Sequence, residues 1–508
     1  MNTDRLFFKD FIGLCERRGD DLMIISDAGY GIQRYTYADV LKYCRRYAAF
    51  FQRTGIKAGD RIVTVLPNSA EAVLCFFSAM MMGIDYAPLP CTVTQREFDK
   101  WLSIVRPALI VRKSGIAEYE STVRTVDCIC DGDLSWIGED EFSDCGAEHT
   151  SHICLMTSGT TGEPKAMLID AERLWRSGDA FISCYGLKNS GVRFWNYLPM
   201  SYLGGLFNLA IIPLCCGGSF VISEPFSGKT ILNFWNFVKK HSITALWFVP
   251  SIIQGLLKLS DLVGKNVYGD TCDSIRIAFL GTAPIMLDQK NGFEEVFGIR
   301  LYENFALSET TFLTAENRDD IRFREESSVG LPLPYASVKI VPIDANEKIG
   351  TIWVKTPYLF SGYLSENGDI EIETDGEGYF NTKDLGHFNE DGILVLDGRE
   401  RDIIKKGGLF VSLPEIERLV SKYPAVEEIV AAAEKHEFYG ECYNLYVKFR
   451  MTENRDRQIK ELQMWMLENV VSYKMPERIV AVRDFPRTAS GKIQKRKLLS
   501  DEGAWIDA

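Results

Sequence analysis

From the N-terminus to about Leu331, helix-like and strand-like apolar patterns alternate, and this alternation restricts the fold more than any other feature of the chain. Thr36 is placed to cap a helix in which Val40, Leu41, Cys44, Tyr47, Ala48 and Phe51 recur at helical spacing, with Gly55 as its stop. Ile62 to Leu66 is a short, mostly β-branched run. Asn68 then stands as a second cap, before a helix ending near Gly83. Leu109 to Val111 closes another helix-to-strand cycle. Strands separated by helices of this length need right-handed crossovers and mostly parallel sheets.

The texture changes between Gly350 and Leu396, where short strands meet at turns such as Glu377-Gly-Tyr and Asp391-Gly-Ile. A small β-barrel-like layer is expected there. After Gly398 a new unit reads as helix (Pro414 to Lys422), strands, helix (Arg457 to Val470) and strand. The predicted class is therefore α/β. A large N-terminal domain, residues 1–398, holds parallel β-sheets sandwiched by helices plus the β layer, and a small α+β domain follows at 399–508. A chain of 508 residues, 46% of them hydrophobic, has the core for more than one domain.

A formal net charge of -13 argues against broad nucleic-acid or anionic-membrane binding, which needs a basic face. The 13 cysteines are scattered and odd in number, and Met1 to Asp10 lacks an apolar leader core. A reduced, cytoplasmic setting is the expectation. Phe194 to Ser223 carries no charge, but Asn196, Pro199, Gly204, Gly205, Asn208, Pro213, Gly217 and Gly218 interrupt it. It reads as loop, buried helix and strand rather than a membrane span. His149, His152 and Cys154 resemble part of a metal cluster but lack the fourth ligand of a structural zinc site, so they read as coincidence.

The chemistry concentrates first in Thr157-Ser-Gly-Thr-Thr-Gly-Glu-Pro-Lys165, which follows the apolar run Ile153 to Met156. Glycine lets backbone N–H groups approach phosphate oxygens, and Ser and Thr hydroxyls add donors. The lysine follows Glu163 and Pro164, so this is not a Walker A loop. The plain alternative is a polar surface hairpin, which the density of such residues disfavours.

With this loop the chain resembles the adenylate-forming superfamily of acyl-CoA synthetases, adenylation domains and luciferases. Further motifs follow in that family's order. Gly281-Thr-Ala-Pro284 resembles its adenine-side loop and Asn304-Phe-Ala-Leu-Ser-Glu309 its aromatic-Gly-x-Thr-Glu motif. Phe380-Asn-Thr-Lys-Asp384 is similar to the ribose segment. Gly398 to Gly408, continuing to Pro414-Glu-Ile-Glu417, resembles the inter-domain hinge. Pro486-Arg-Thr-Ala-Ser-Gly-Lys492 resembles the catalytic-lysine loop.

The resemblance implies ATP, Mg2+ and a thiol acceptor, coenzyme A or a carrier protein's phosphopantetheine. It assigns roles that the chemistry explains. A carboxylate must attack the α-phosphate of ATP, so two anions meet, at a cost on the order of 1 kcal/mol at 4 Å in water and several-fold more in a partly dry site. Cations and oriented donors must offset that repulsion. Lys492 is expected to bridge carboxylate and α-phosphate, and Glu309 to hold magnesium. Thr157, Ser158, Gly159, Thr160, Thr161, Gly162 and Lys165 would line the pyrophosphate path. Asp384 and Arg399 would bind the ribose hydroxyls. Asn304, Phe305 and Ser308, in the aromatic-Gly-x-Thr-Glu motif, would bind the nucleotide, with Phe305 offering a face to adenine and Gly281, Thr282 and Ala283 of the adenine-side loop opposite. The resemblance also implies domain alternation: the small mobile domain pivots at Arg401, withdrawing Lys492 and presenting Lys405, Gly407 and Gly408 to the pantetheine arm. Taken alone, Glu309 and Asp384 would read as loop carboxylates, Lys492 as a solvated tail and Phe305 as core.

Three positions depart from the pattern. Ala306 stands where the family has glycine at the floor of the acyl pocket, which disfavours a long chain. Ser308 replaces threonine and keeps the hydroxyl. Lys383 replaces the glycine before Asp384, for which the sequence gives no reason. The gate segment is Pro199-Met-Ser-Tyr202, and Tyr202, Phe207, Trp247, Val249, Ala306 and Leu307, beside Phe248, make a mainly apolar lining. No aspartate follows Pro199 to hold an α-amino group, so an amino acid is a poor substrate.

The expected activity is thus an AMP-forming acid–thiol ligase acting on a small to medium aliphatic or aromatic carboxylic acid. Coenzyme A is favoured as acceptor because no carrier domain is fused after Lys492; loading of a separate acyl carrier protein is the alternative. A silent ligand sensor would be expected to have lost Lys492 or Glu309, and a P-loop kinase lacks its Gly-Lys-Ser/Thr here. Lys492→Ala is expected to abolish adenylate formation while leaving acyl transfer from a supplied acyl-adenylate largely intact, as read by separate half-reaction assays. Unchanged adenylation would remove the assignment of Lys492.

Overall fold

The computed structural model describes residues 6–28, 31–116, 118–128, 149–158, 164–263, 269–281, 283, 285–318, 324–343, 348–365, 367–406, 409–450, 454–487, 493–500 and 505. Packing divides the chain into two compact units: Met1–Ser337 with Lys355–Gly378, and Val338–Val354 with Tyr379–Ala508.

The first unit holds two large sheets. One, of nine strands among the described residues, runs Leu331–Pro332, Thr311–Ala315, Leu301–Leu307, Ile277–Leu280, Ala245–Phe248, Arg193–Asn196, Ser219–Ile222, Leu22–Ser26, Gln33–Thr36. Its interior ladders are parallel and its outer pairs antiparallel. The other, of eight, runs Ile370–Glu371, Gly362–Leu364, Pro164–Asp170, His152–Ser158, Asp85–Leu89, Arg61–Val65, Leu109–Arg112, Thr125–Asp127. The strand–helix alternation accounts for this: Thr36 makes a full capping box with Asp39 at the start of Tyr37–Arg53, and Gly83, at φ 73°, ends Ala70–Met82. Every residue of Ala70–Met82 is buried, as expected of a helix that is apolar on all sides.

Asn68 is not the cap of that helix. Ser69 is, accepting from the Ala72 N–H, while the Asn68 amide reaches across to Leu198 and Met200. The uncharged stretch resolves into the strand Arg193–Asn196, a π-helical segment Gly204–Ile211, the short helix Ile212–Cys215 and the strand Ser219–Ile222. A Cβ on Gly205 would lie 2.5 Å from the Leu198 and Pro199 carbonyl oxygens, so only glycine fits there. Among the described residues no helix is long and apolar enough to cross a membrane.

In the second unit the expected barrel-like layer is an open sheet of four strands, Ser337–Pro342, Gly350–Lys355, Phe380–Phe388 and Leu394–Arg399, with no closed barrel. A five-stranded sheet follows, with Gly440–Phe449 at its centre and Val426–His436 at one edge, and the helices Leu413–Val420 and Arg455–Asn469 pack into its apolar cluster.

One buried charge cluster fixes the strand Leu301–Leu307. Lys290 Nζ lies 2.9 Å from Glu303 Oε2 and 2.7 Å from Glu316 Oε1, and its side chain is 2% exposed. Arg324 binds Glu316 at 2.8 Å and both Glu294 oxygens at 2.8 and 2.9 Å. Burial pushes the Glu303 carboxyl up to about 6 from 4.5, with Lys290 opposing the shift. The folded chain therefore keeps a proton that the unfolded chain has released between those values, and this group's contribution to stability falls as pH rises through that window. Lys290→Met leaves Glu303 buried without its bonded cation, while Glu316 keeps Arg324, and is expected to cost about 3–5 kcal/mol. Thermal unfolding should show the loss to be smaller at acid pH, below the raised Glu303 value, where protonation relieves the stranded charge, than at neutral pH.

Candidate active site

The phosphate-loop segment is a hairpin. The strand His152–Ser158 pairs antiparallel with Pro164–Asp170, with Thr157 opposite Lys165 and Ser158 opposite Pro164, so the ladder extends to the last described residue on each side. Gly159, Thr160, Thr161 and Gly162, and the side chains of Thr157 and Ser158, lie outside the described residues.

On the other side of Pro164–Asp170 runs Gly362–Leu364, with Tyr363 opposite Met167. Lys165 Nζ sits 5.3 Å from the Tyr363 ring centroid, a cation–π distance. The Tyr363 hydroxyl donates to Glu309 Oε1 at 2.7 Å, and the Phe360 N–H donates to the Glu309 carbonyl, also at 2.7 Å. Burial raises the Tyr363 phenol well above its ordinary value and the Glu309 carboxylate adds to the shift, so it remains a donor. Lys165 and Glu309, distant in the chain, are thus joined through one phenol. Sequence reasoning missed Tyr363, since nothing local distinguishes it among 21 tyrosines.

The adenine-side motifs are tied together as well. Leu280 and Glu303 are partners in parallel strands, and Asn304 Nδ2 donates to the Leu280 carbonyl at 3.0 Å. A Cβ on Gly281 would meet Asn304 Oδ1 at 3.1 Å, so the glycine permits this close approach. Phe305 is buried, Ala283 and Ser308 are half-buried, and Thr282 lies outside the described residues.

Within the second unit, Asp384 and Arg399 are cross-strand partners and bind one another, Arg399 Nε to Asp384 Oδ1 at 2.8 Å. Asp384 is buried and Arg399 half exposed. Lys383 has φ 59°, in the left-handed region that favours glycine, and its N–H donates to Asn381 Oδ1 at 2.7 Å. This accounts for a glycine in the related motif, and the Asn381 turn supports the lysine here. Arg401 lies in the 3-10 turn Glu400–Asp402, its side chain outside the described residues. Lys405 is exposed, its N–H bound to Glu441 at 2.7 Å, and Gly407 and Gly408 lie outside the described residues. So does Lys492, but its loop is anchored: Arg487 pairs with Ile493, and the Gln494 N–H donates to the Pro486 carbonyl. Glu417 of the hinge motif grips Lys495 at 3.0 Å.

Of the proposed acyl lining, Phe207 and Trp247 are buried around Phe312, whose ring centroid is 5.4 Å from Phe207 and 5.5 Å from Trp247. Phe312 is the ladder partner of Ala306, so both side chains share a face. Ala306 itself is exposed, Leu307 and Val249 are half-buried, and Tyr202 is half exposed. Phe312 is a further residue that the motif reading did not single out. Asn68 holds the backbone on either side of Pro199, donating to the Leu198 carbonyl and accepting from the Met200 N–H, each at 2.9 Å.

Tyr363→Phe deletes the hydrogen bond to Glu309 and keeps the ring beneath Lys165. A bond to a charged group is worth about 1.5–3 kcal/mol, so adenylate formation is expected to fall roughly ten- to hundredfold, with the melting temperature little changed. Pyrophosphate-release assays beside thermal unfolding check both.

Comparison with known proteins follows the same lines. The chain is 29% identical over 464 residues to the oxalate–CoA ligase of Arabidopsis thaliana, covering 87% of this chain and 88% of that one. It is 23% identical over 522 residues to the long-chain-fatty-acid–CoA ligase of Bacillus subtilis, covering 93% and 91%. The fold matches that of ATP-bound MatB from Rhodopseudomonas palustris with a TM-score of 0.85, at 24% identity, over 99% of this chain and 100% of that one. The profile of the AMP-binding enzyme family matches residues 14–364, and that of the AMP-binding enzyme C-terminal domain matches 415–492. On that coverage, and with the phosphate hairpin and adenine-side motifs assembled as described, the chain belongs to the AMP-binding enzyme family.

Proposed function

We propose that this protein uses ATP to convert a small to medium aliphatic or aromatic carboxylic acid to an acyl-adenylate, with release of pyrophosphate, and then transfers the acyl group to coenzyme A. The observation that carries the reading is the Lys165–Tyr363–Glu309 line beside the phosphate hairpin. It supplies a cation for departing pyrophosphate and a carboxylate for a hard cation at one edge of the sheet. The CoA ligases among the relatives support coenzyme A as the acceptor.

Glu309 suits magnesium: Tyr363 occupies Oε1, leaving Oε2 to ligate, and the ion would neutralise phosphate charge. Asn304 and Gly281 form the adenine side, and Phe305 is proposed to present its ring there. Asp384 accepts from the ribose hydroxyls, with Arg399 orienting its carboxylate. Lys492 bridges the two reacting anions. Residues 399–508 act as a lid on 1–398, pivoting at Arg401, so that Lys492 serves the first half-reaction, and Lys405, Gly407 and Gly408 the second. The Ala306 methyl beside Phe312 shortens the acyl site and favours acids of modest length.

The test is mass detection of products from ATP, magnesium and a panel of carboxylic acids, with and without coenzyme A. An acyl-CoA from small or aromatic acids is the expected product. Acyl-AMP accumulating with no CoA thioester would transfer the reading to carrier-protein loading, and no adenylate from a saturating panel would overturn it.

A further inference from the structure

The two histidines that the sequence left as coincidence acquire a third partner in the fold. His152, Asp85 and Arg61 are the first residues of three neighbouring strands, His152–Ser158, Asp85–Leu89 and Arg61–Val65. Asp85 lies between the other two, and His149, three residues before His152, folds over the same carboxylate. His152 Nδ1 is 3.1 Å and His149 Nε2 3.3 Å from Asp85 Oδ1, and a donor atom from each of the three residues falls within 4.8 Å of the others.

The carboxylate divides its two oxygens. Arg61 Nε holds Oδ2 at 3.3 Å and fixes the plane, while Oδ1 faces both imidazoles and also accepts the His152 N–H at 2.8 Å. Asp85 is 4% exposed, His152 15% and His149 38%, so the cluster opens to solvent on the His149 side. The His149 ring rests against Gly59, where a Cβ would sit 3.9 Å from Nδ1, leaving Nε2 toward Asp85.

We propose that Asp85, His149 and His152 form a divalent transition-metal site, best matched to zinc, with its fourth position open to water. Zinc bonds to imidazole nitrogen and carboxylate oxygen are about 2.0–2.1 Å, and a tetrahedron with such bonds has edges of about 3.3–3.4 Å. Two of the three donor separations fall close to that edge, and the third, between the two imidazoles, lies within 4.8 Å, so the three donors converge on one position. Two nitrogens and one oxygen suit zinc better than calcium or magnesium, which take oxygen. Arg61 on Oδ2 supplies the orienting partner that metal-binding carboxylates commonly have.

The site is separate from the catalytic one. It sits at the N-terminal end of these strands, while the phosphate hairpin turns at the other end of His152–Ser158, about 20 Å away at ~3.3 Å per residue. With three protein ligands and an open position it differs from the closed four-ligand sites of structural zinc, yet a bound ion would still join the segment entering that strand to the start of Asp85–Leu89 and add stability by binding the folded state alone.

The experiment uses the full chain freed of metal by chelation, titrated with Co2+ as a visible probe and then with Zn2+. One equivalent of Co2+ should give the d–d absorption of a tetrahedral site, Zn2+ should displace it, and Zn2+ should raise the melting temperature. His149→Ala, at the most exposed ligand, and His152→Gln should each weaken binding at least tenfold. Cys184→Ser, which removes an exposed thiol, should leave binding unchanged. No saturable binding, or binding that survives both histidine replacements, would overturn the site. Neither outcome touches the ligase reading, which rests on other residues.

Discussion

The pairing of Lys290 with Glu303 and Glu316 is the constraint on which the adenine side of the molecule rests. A buried cation between two carboxylates tolerates little displacement, because Lys290 or Glu303 left alone would keep an uncompensated charge in a poorly polarisable interior. Glu303 immediately precedes Asn304 and Glu316 follows the strand Thr311–Ala315, so the cluster pins two adjacent strands at the point where they approach the site. Asn304 then reaches Leu280, and the Gly281 turn is set by the same side chain. At the far end of Leu301–Leu307 the chain delivers Glu309 to Tyr363. Position along one strand and the turn after it thus connects electrostatic stability to the residues proposed to handle the nucleotide.

Much of this is legible in the sequence, and the part that is not has a common cause. Local signals read well. The Thr36 cap, the Gly83 helix end and the strand leading into the phosphate segment depend on residues within a few positions of one another, whereas the return strand Pro164–Asp170, which makes that segment the hairpin the sequence reading disfavoured, does not show locally. The α/β class follows from the spacing of helices and strands. Asn68 misleads because its type suits a helix cap, while its actual partners lie 130 positions away. Tyr363 and Phe312 escape notice for the same reason, since each matters through a residue brought alongside by sheet pairing. The turns of the β layer suggest a barrel, but short strands and tight turns do not specify closure. Lys383 shows the reverse. The sequence marks it as odd, and only the backbone angle explains why glycine is the usual occupant.

The charge pattern also divides along the fold. Basic residues gather near the hinge motif and around the loop of Lys492, where the proposed reaction handles anionic substrates, inside a chain that is acidic overall. A net negative protein with local cationic segments suits small anions, which are drawn to a few residues, better than a polyanion, which would meet repulsion over most of the surface.

Asn68 carries a consequence for how such a chain can change. Its amide has one donor end and one acceptor end at a fixed separation, and both are used on the backbone of the gate at Leu198 and Met200. The path of the main chain there is consequently independent of the side chains at Ser201 and Tyr202. In the proposed reading, replacing those side chains would alter what the gate admits while Asn68 still holds the backbone on either side of Pro199. Under the proposed reading, the choice of acid and the handling of the nucleotide rest on different residues, so a substitution at one need not disturb the other.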